Sequence, residues 1–116
     1  MVMRWCNLDD LEKAAIYRLH AEFCKTLADA NRLLIINELG KGELTVGELT
    51  ARLGLNQSNV SKHLAVMRQH GMVKRRRDGS NSYYDLSDRR ISEAIGLLKE
   101  IQAEQLQKRV SLAQLI

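Results

Sequence analysis

Apolar residues recur along this chain with two different periods. From Leu8 to Leu27 they fall at positions 8, 11, 15, 16, 19, 23 and 27, spacings of three and four that predict a long helix with a stripe wide enough to meet more than one neighbour. Asn7 stands before it as a candidate N-cap, and Asp9, Asp10 and Glu12 suit the positive end of its dipole. Asp29 can cap a second helix running to Glu38 or Leu39, where Leu33, Leu34, Ile35, Ile36 and Leu39 point in nearly every direction, as in a helix at the centre of a core. Gly40 and Gly42 then break the chain.

Two shorter patterns follow. Thr45 and Glu48 have the spacing of a capping box, hydroxyl and carboxylate each satisfying a free backbone N–H, and Val46, Leu49 and Leu53 line one face of the helix they start. Gly54 supplies a left-handed residue at its end, Leu55 can turn back into the core, and Asn56 opens the next helix. That helix begins near Gln57, buries Val60, Leu64 and Met67, and ends at Gly71 as its C′ residue. Two short helices joined by a glycine-containing turn form the unit in which the second helix can lie in a DNA major groove.

From Met72 the pattern becomes that of a hairpin: a strand, a turn at Asp78-Gly79-Ser80-Asn81, and a returning strand with Tyr83, Tyr84 and Leu86. Arg75 to Arg77 lead into its tip, which makes it a basic wing. From Ser87 or Asp88 a last helix, about residues 88–110, carries Ile91, Ala94, Ile95 and Leu98 on one side, continued by Ile101 and Leu106 and interrupted by Gln102 and Gln105. The expected fold is mainly α with a small β-hairpin, a single winged helix-turn-helix domain over residues 1–116 with five helices and a two-stranded wing. Nothing further in so short a chain covers the stripes of the first helix (about 8–27) and the last, so a second copy is expected to bury both in a homodimer.

Composition narrows the partners. With 116 residues, 45% of them hydrophobic, the chain has enough apolar material for one core. No run approaches the roughly 20 apolar residues of a membrane span, and MVMRWCNLDD holds no stretch of signal-peptide length, so a cytoplasmic location without membrane contact is expected. A net charge of +4 favours polyanions, and the dense basic run Lys74-Arg75-Arg76-Arg77 falls just after the second helix of the pair. Two cysteines are too few for a disulfide framework, and reduced thiols are the default.

Projected at about 100° per residue with Val60, Leu64 and Met67 inward, the second helix of the pair turns Ser58, Ser61, Lys62, Ala65 and Gln69 outward. Serine hydroxyls can meet base edges or phosphates, Lys62 can meet phosphate or guanine, and Ala65 lets the helix sit close. Gln57 and Asn59 flank the N-terminal end, and His63 lies at the margin of the buried stripe, within reach of a phosphate. An ordinary solvated face has the same composition; the basic hairpin that follows favours double-stranded DNA. Arg75, Arg76 and Arg77 are candidate phosphate contacts, although cations on an edge strand also discourage strand pairing between molecules.

The stretches LADANRLLIINEL and TVGELTARLGLNQSNVSKHLAVMRQHGMVKRRRDGSNSYYDLSD resemble the ArsR/SmtB family of bacterial winged-helix repressors. The resemblance implies a homodimer formed largely by the first and last helices, an inverted-repeat operator, and release by an inducer. It also implies that Gln57, Ser58, Ser61 and His63 approach DNA. Many relatives bind metal through cysteines on the third helix, in a pattern like ELCVCEL, where this chain has Glu43-Leu44-Thr45-Val46-Gly47-Glu48-Leu49. Neither Thr nor Gly can replace a thiolate in holding a soft metal. The other common site uses Asp and His on the last helix, and Asp88 to Gln107 contains no His. No cofactor is implied.

Cys6 and Cys24 remain as sensor candidates. On one continuous helix they would stand roughly 27 Å apart, too far to pair without unwinding or a partner chain. His20 and Cys24 have the i, i+4 spacing at which two side chains can hold one ion, with Cys6 of a partner as a third donor; equally, Cys24 can be a small buried hydrophobe. The inducer stays open between a soft metal, arsenite, an oxidant, a sulfur species or none. Three further readings also stay open: a constitutive or architectural DNA-binding protein, a MarR-like small-molecule sensor, which the scarcity of aromatics disfavours, and an enzyme, which the lack of a phosphate loop, metal motif or nucleophile-base motif disfavours.

Overall fold

The computed structural model describes residues 4–115, the side chain of Arg4 excepted. After a 3₁₀ turn at Arg4–Asn7 come helix α1 (Asp10–Thr26), α2 (Ala30–Leu39), strand β1 (Leu44–Thr45), α3 (Val46–Leu53), α4 (Gln57–Gln69), β2 (Val73–Asp78), β3 (Asn81–Leu86) and α5 (Arg90–Gln114). Among the described residues, five α-helices and a small antiparallel sheet make a winged helix-turn-helix.

The core is the meeting of α2, α3, α4 and the base of the wing. Ile35, Ile36 and Leu39 of α2, Leu49 of α3, and Val60, Leu64 and Met67 of α4 are fully buried, with Met72, Val73 and Leu86 closing the sheet side. The stripe expected on α4 is the one observed. On α2 the expectation of burial all round is corrected: Leu33 and Leu34 are 37% and 45% exposed, because the rest of the chain covers that side only in part.

Caps fix the helix ends. The Thr45 capping box is complete, Thr45 Oγ1 accepting the Glu48 N–H at 3.1 Å and Glu48 Oε1 the Thr45 N–H at 3.1 Å. Gly54 ends α3 at φ +65°. Beyond α4, Gly71 (φ +74°) donates to the Arg68 carbonyl and Met72 to the Met67 carbonyl, the paired bonds of a Schellman ending. The N-terminal helix departs from expectation: Asp9, not Asn7, caps it, Oδ1 accepting the Glu12 N–H at 2.8 Å, and the helix starts at Asp10. Asp9 stands three residues before the free N–H it accepts, the spacing of an N-cap, whereas Asn7 stands five before it.

The wing is also larger than a two-stranded hairpin. β1 pairs antiparallel with β3, Leu44 opposite Tyr84 and Thr45 opposite Tyr83, so the sheet order is β1-β3-β2. A two-residue strand shows no alternation in the sequence, and Thr45 is at once strand end and helix cap. β2 and β3 are joined through Gly79-Ser80, Asp78 standing opposite Asn81, with Gly79 at φ +62°.

α5 is held most firmly at its start, with one further tie where Lys99 Nζ donates to Asn37 Oδ1 of α2 at 2.7 Å. Arg89 Nη1 donates to the carbonyls of Leu39 and Gly40 at the end of α2, at 2.8 and 3.1 Å, and Nη2 to Asp85 of β3 at 2.9 Å. Asp88 accepts the Arg90 N–H and its guanidinium, and those contacts hold its carboxyl down to about 2. Ile91 and Ile95 pack on the core, whereas Leu97, Leu98, Ile101, Leu106, Val110, Leu112 and Leu115 are exposed. α1 behaves alike: Thr26 is buried and Phe23 packs on the core, while Leu11, Ile16, Tyr17 and Leu19 are exposed. Among the described residues no helix is long and apolar enough to cross a membrane.

The glycines give a test of this account. A Cβ on Gly54 would meet nothing within 4 Å, so the cost of Gly54→Ala is conformational alone; urea unfolding should show a loss of about 1 kcal/mol or more. Gly96, in the interior of α5, also has open space around it, and Gly96→Ala should gain up to about 1 kcal/mol.

Candidate nucleic-acid interface

The sequence of α4 divides it into two faces. With Val60, Leu64 and Met67 locked in the core, Gln57, Ser58, Asn59, Ser61, Lys62, Ala65 and Gln69 are all exposed. Asn56 caps the helix, its Oδ1 accepting the Ser58 N–H at 2.8 Å and the Ser58 hydroxyl at 2.7 Å. That bond uses the Ser58 proton and leaves its oxygen as an acceptor. The other first-turn N–H groups and the positive end of the dipole lie at this same end, where an anion is favoured. The structure thus brings Gln57, Ser58, Asn59, Ser61 and Lys62 together.

His63 is placed differently. Its side chain is 17% exposed and turned towards α2, with Nδ1 accepting from Arg32 Nε at 3.1 Å and Nε2 3.9 Å from Asp29 Oδ1. The Asn31-Arg32 step stood in the sequence only as part of a motif; its role in gripping α4 had no signal in local spacing.

The basic run is split by the pleat. Register pairs Arg76 with Tyr83, and Arg75 and Arg77 with Tyr84 and Ser82, so Arg75 and Arg77 share one face of the sheet while Lys74 and Arg76 share the other. Arg76 is engaged within the protein. Nη2 donates to Glu43 Oε1 at 2.7 Å and Nε to Glu43 Oε2 at 3.3 Å, and the guanidinium stacks over the Tyr83 ring at 4.6 Å. The pair holds the Glu43 carboxyl below its usual range and raises Arg76 above its own, the two-pronged hydrogen bond being the largest cause in each. Lys74, Arg75 and Arg77 are exposed.

The sensor candidates are not gathered into one site. Cys6 lies in the 3₁₀ turn and Cys24 near the end of α1, both free and exposed. Cys24 Sγ is 3.6 Å from His20 Nε2, and it borders a cavity of about 240 Å³ between α1, α2 and α5, lined also by Leu27, Leu33, Ile95 and Leu98. Among the described residues no group of three or more His, Cys, Asp or Glu could hold a metal ion.

The geometry has relatives. The sequence profile of the family described as "Bacterial regulatory protein, arsR family" matches residues 29–75. The chain is 37% identical over 102 residues to the HTH-type transcriptional regulator Rv0081 of Mycobacterium tuberculosis, covering 87% of this chain and 90% of that protein. It is 37% identical to the transcriptional activator HlyU of Vibrio cholerae, covering 82% and 86%, and 33% identical to the biofilm growth-associated repressor of Xylella fastidiosa, covering 80% of each. Among solved structures it is similar to the homodimeric winged helix-turn-helix DNA-binding domain of Mb0332 from Mycobacterium bovis, with a TM-score of 0.75, 29% identity, and 87% and 93% of the two chains covered.

The pleat and the Glu43 pair separate the arginines experimentally. Arg77→Ala should reduce the slope of log affinity against log salt by about 1 and weaken binding to all duplexes alike. Arg76→Ala should change it clearly less, since Glu43 already offsets that cation. Equal slopes would mean that Arg76 leaves Glu43 on DNA.

Proposed function

The chain belongs to the arsR family of bacterial regulatory proteins and is a DNA-binding transcriptional regulator, and from that premise we propose that it acts as a homodimer whose two α4 helices read the halves of an inverted-repeat operator. The observation that carries the reading is the division of α4: one face fully buried, the other polar, basic and free of bulky apolar groups. Gln57, Ser58, Asn59, Ser61 and Lys62 would contact base edges and phosphates from the N-terminal half of the helix. Arg75 and Arg77 would meet the backbone from the wing, with Arg76 as a reserve held by Glu43. Such a protein works where the DNA is, in the cytoplasm.

A second copy accounts for the apolar residues left exposed on α1 and α5. The homodimeric state named for Mb0332 supports this, as does the length of α5, about 37 Å for its 25 residues, most of which lies beyond the core. The direction of control is proposed to be repression ended by an inducer. The relatives carry both repressor and activator in their names, so transcription from the bound promoter decides it: loss of the protein raises transcript for a repressor and lowers it for an activator.

The signal we favour is thiol chemistry at Cys24 or Cys6. Both are exposed, and His20 lies beside Cys24; Thr45 and Gly47, by contrast, offer no thiolate, and the Thr45 hydroxyl is already used in capping. A Cys6→Ser, Cys24→Ser variant released from DNA at unchanged inducer concentration would move the switch elsewhere. A protein indifferent to metals and oxidants, with similar affinity for unrelated duplexes, would be a constitutive binder instead.

For the dimer, Leu98→Glu with Ile101→Glu should shift sedimentation towards monomer and lower operator affinity about a hundredfold or more, because single half-sites lose the benefit of linkage. A variant that stays dimeric would place the interface on another surface.

A further inference from the structure

Arg32 occupies the first turn of α2, three residues after its N-cap Asp29, where the helix dipole disfavours a cation. Its place is therefore not explained by the stability of α2. The guanidinium serves two other helices: Nη1 donates to the Thr26 carbonyl at 2.9 Å and Nε to His63 Nδ1 at 3.1 Å. Thr26 lies in the last turn of α1, whose carbonyls lack helical partners and attract positive charge. His63 lies in the middle of α4. Asp29 completes the group, its Oδ1 accepting the N–H of Asn31 at 2.9 Å and of Arg32 at 3.2 Å. With Nδ1 accepting, the hydrogen-bond pattern puts the imidazole proton on Nε2, the side that faces Asp29.

Little else fixes α1 to the head. Thr26 is its buried residue, Phe23 and the capping Leu27 pack at the edge of the core, and the rest of the helix runs outward over mostly exposed positions. A planar fork that binds two acceptors at once fixes their relative orientation, which the point charge of a lysine cannot do.

We propose that Arg32 is a positioning residue that sets the angle between the α1 arm and α4, and through that angle the half-site spacing a dimer reads. The spacing rests on the homodimeric reading above; the angle within one chain does not.

The test uses the full chain with Arg32→Lys. Spin labels at Arg18→Cys on α1 and Lys62→Cys on α4, with Cys6 and Cys24 replaced by Ser and labelled chain diluted in excess unlabelled chain, report the distance within one chain by pulsed electron resonance. The expected result is a narrow distribution with Arg32 that broadens or moves with Arg32→Lys, at unchanged helical circular dichroism. His63→Ala should act the same way and serves if the lysine variant fails to fold. His63→Asn, whose Oδ1 can accept where Nδ1 does, should restore the narrow distance. In parallel, anisotropy titrations use the duplex that the unaltered protein selects from a random pool, with its half-sites moved closer or further by one or two base pairs. Arg32→Lys should cut the preference for the selected spacing by about tenfold, the scale of losing one specific base contact. An unchanged label distance in Arg32→Lys and His63→Ala overturns the proposal. An Arg32-dependent distance in a protein that shows no spacing preference supports the angle and overturns the dimeric-operator reading instead.

Discussion

The burial of three side chains, Val60, Leu64 and Met67, is the constraint on which this structure turns. All three are fully excluded from solvent among residues of α2, α3 and the wing base, and each would expose an apolar surface worth about 1.5–3 kcal/mol if α4 rotated out of place. That single stripe settles which side of α4 faces outward. Gly54 and Gly71 make the arrangement compatible with the chain on either side, since both adopt left-handed backbone that a residue with a Cβ takes only at a cost. The polar face is thus a consequence of packing on the opposite side, and its residues need contribute nothing to folding.

Electrostatics modify that picture at the rim. Seen as sequence, Lys74 to Arg77 is one basic block. In the folded wing the pleat sends alternate residues to opposite faces, and Glu43, brought alongside by the short strand β1, holds Arg76 in a two-pronged pair over Tyr83. The pair is half exposed, so its worth to stability is small; its effect is on where the guanidinium points. The positive field of the wing then rests on Lys74, Arg75 and Arg77, which no ion pair engages among the described residues. A glutamate in a loop thereby edits the charge pattern of a strand 33 residues away.

Periodicity and capping chemistry made most of the fold legible before any coordinates. The buried stripe of α4, the Thr45–Glu48 box, the Gly54 and Gly71 endings and the hairpin turn each follow from residue types at fixed short spacings. What escaped the sequence depends on contacts between distant segments. Strand β1 is two residues long and exists through pairing with Tyr83 and Tyr84. In the sequence Asn7 reads as the cap and Asp9 as a first-turn acid, and which of them caps depends on where the helix starts, Asp9 being the one that reaches the Glu12 N–H. Leu33 and Leu34 read as core because a helix apolar on all sides has no preferred face, and the face left open is decided by what else the chain has to cover it. Of the candidate interface, the exposure of the outer half of α4 was readable from helical projection. The inward turn of His63 was not, since Arg32 lies 31 residues away.

These long-range contacts bear on how a signal could reach DNA. The third-helix stretch has Thr45 and Gly47 and no thiolate, the last helix has no His, and the exposed thiol of Cys24 sits two residues before Thr26, whose carbonyl Arg32 holds. From Cys24 to His63 the route is therefore two residues of helix and one guanidinium. Contact alone does not make a switch; a route transmits only if some element along it has two arrangements that the signal favours unequally. α1 is a candidate for such an element, because it is anchored to the head by its last turn and largely exposed along the rest. A bulky or charged adduct on Cys24 would crowd Leu27, Leu33 and Ile95 at the cavity it borders, on the arm that carries the thiol. Reading and sensing would then be separated in the chain yet joined through the same end of α1, with α3 left to packing and capping.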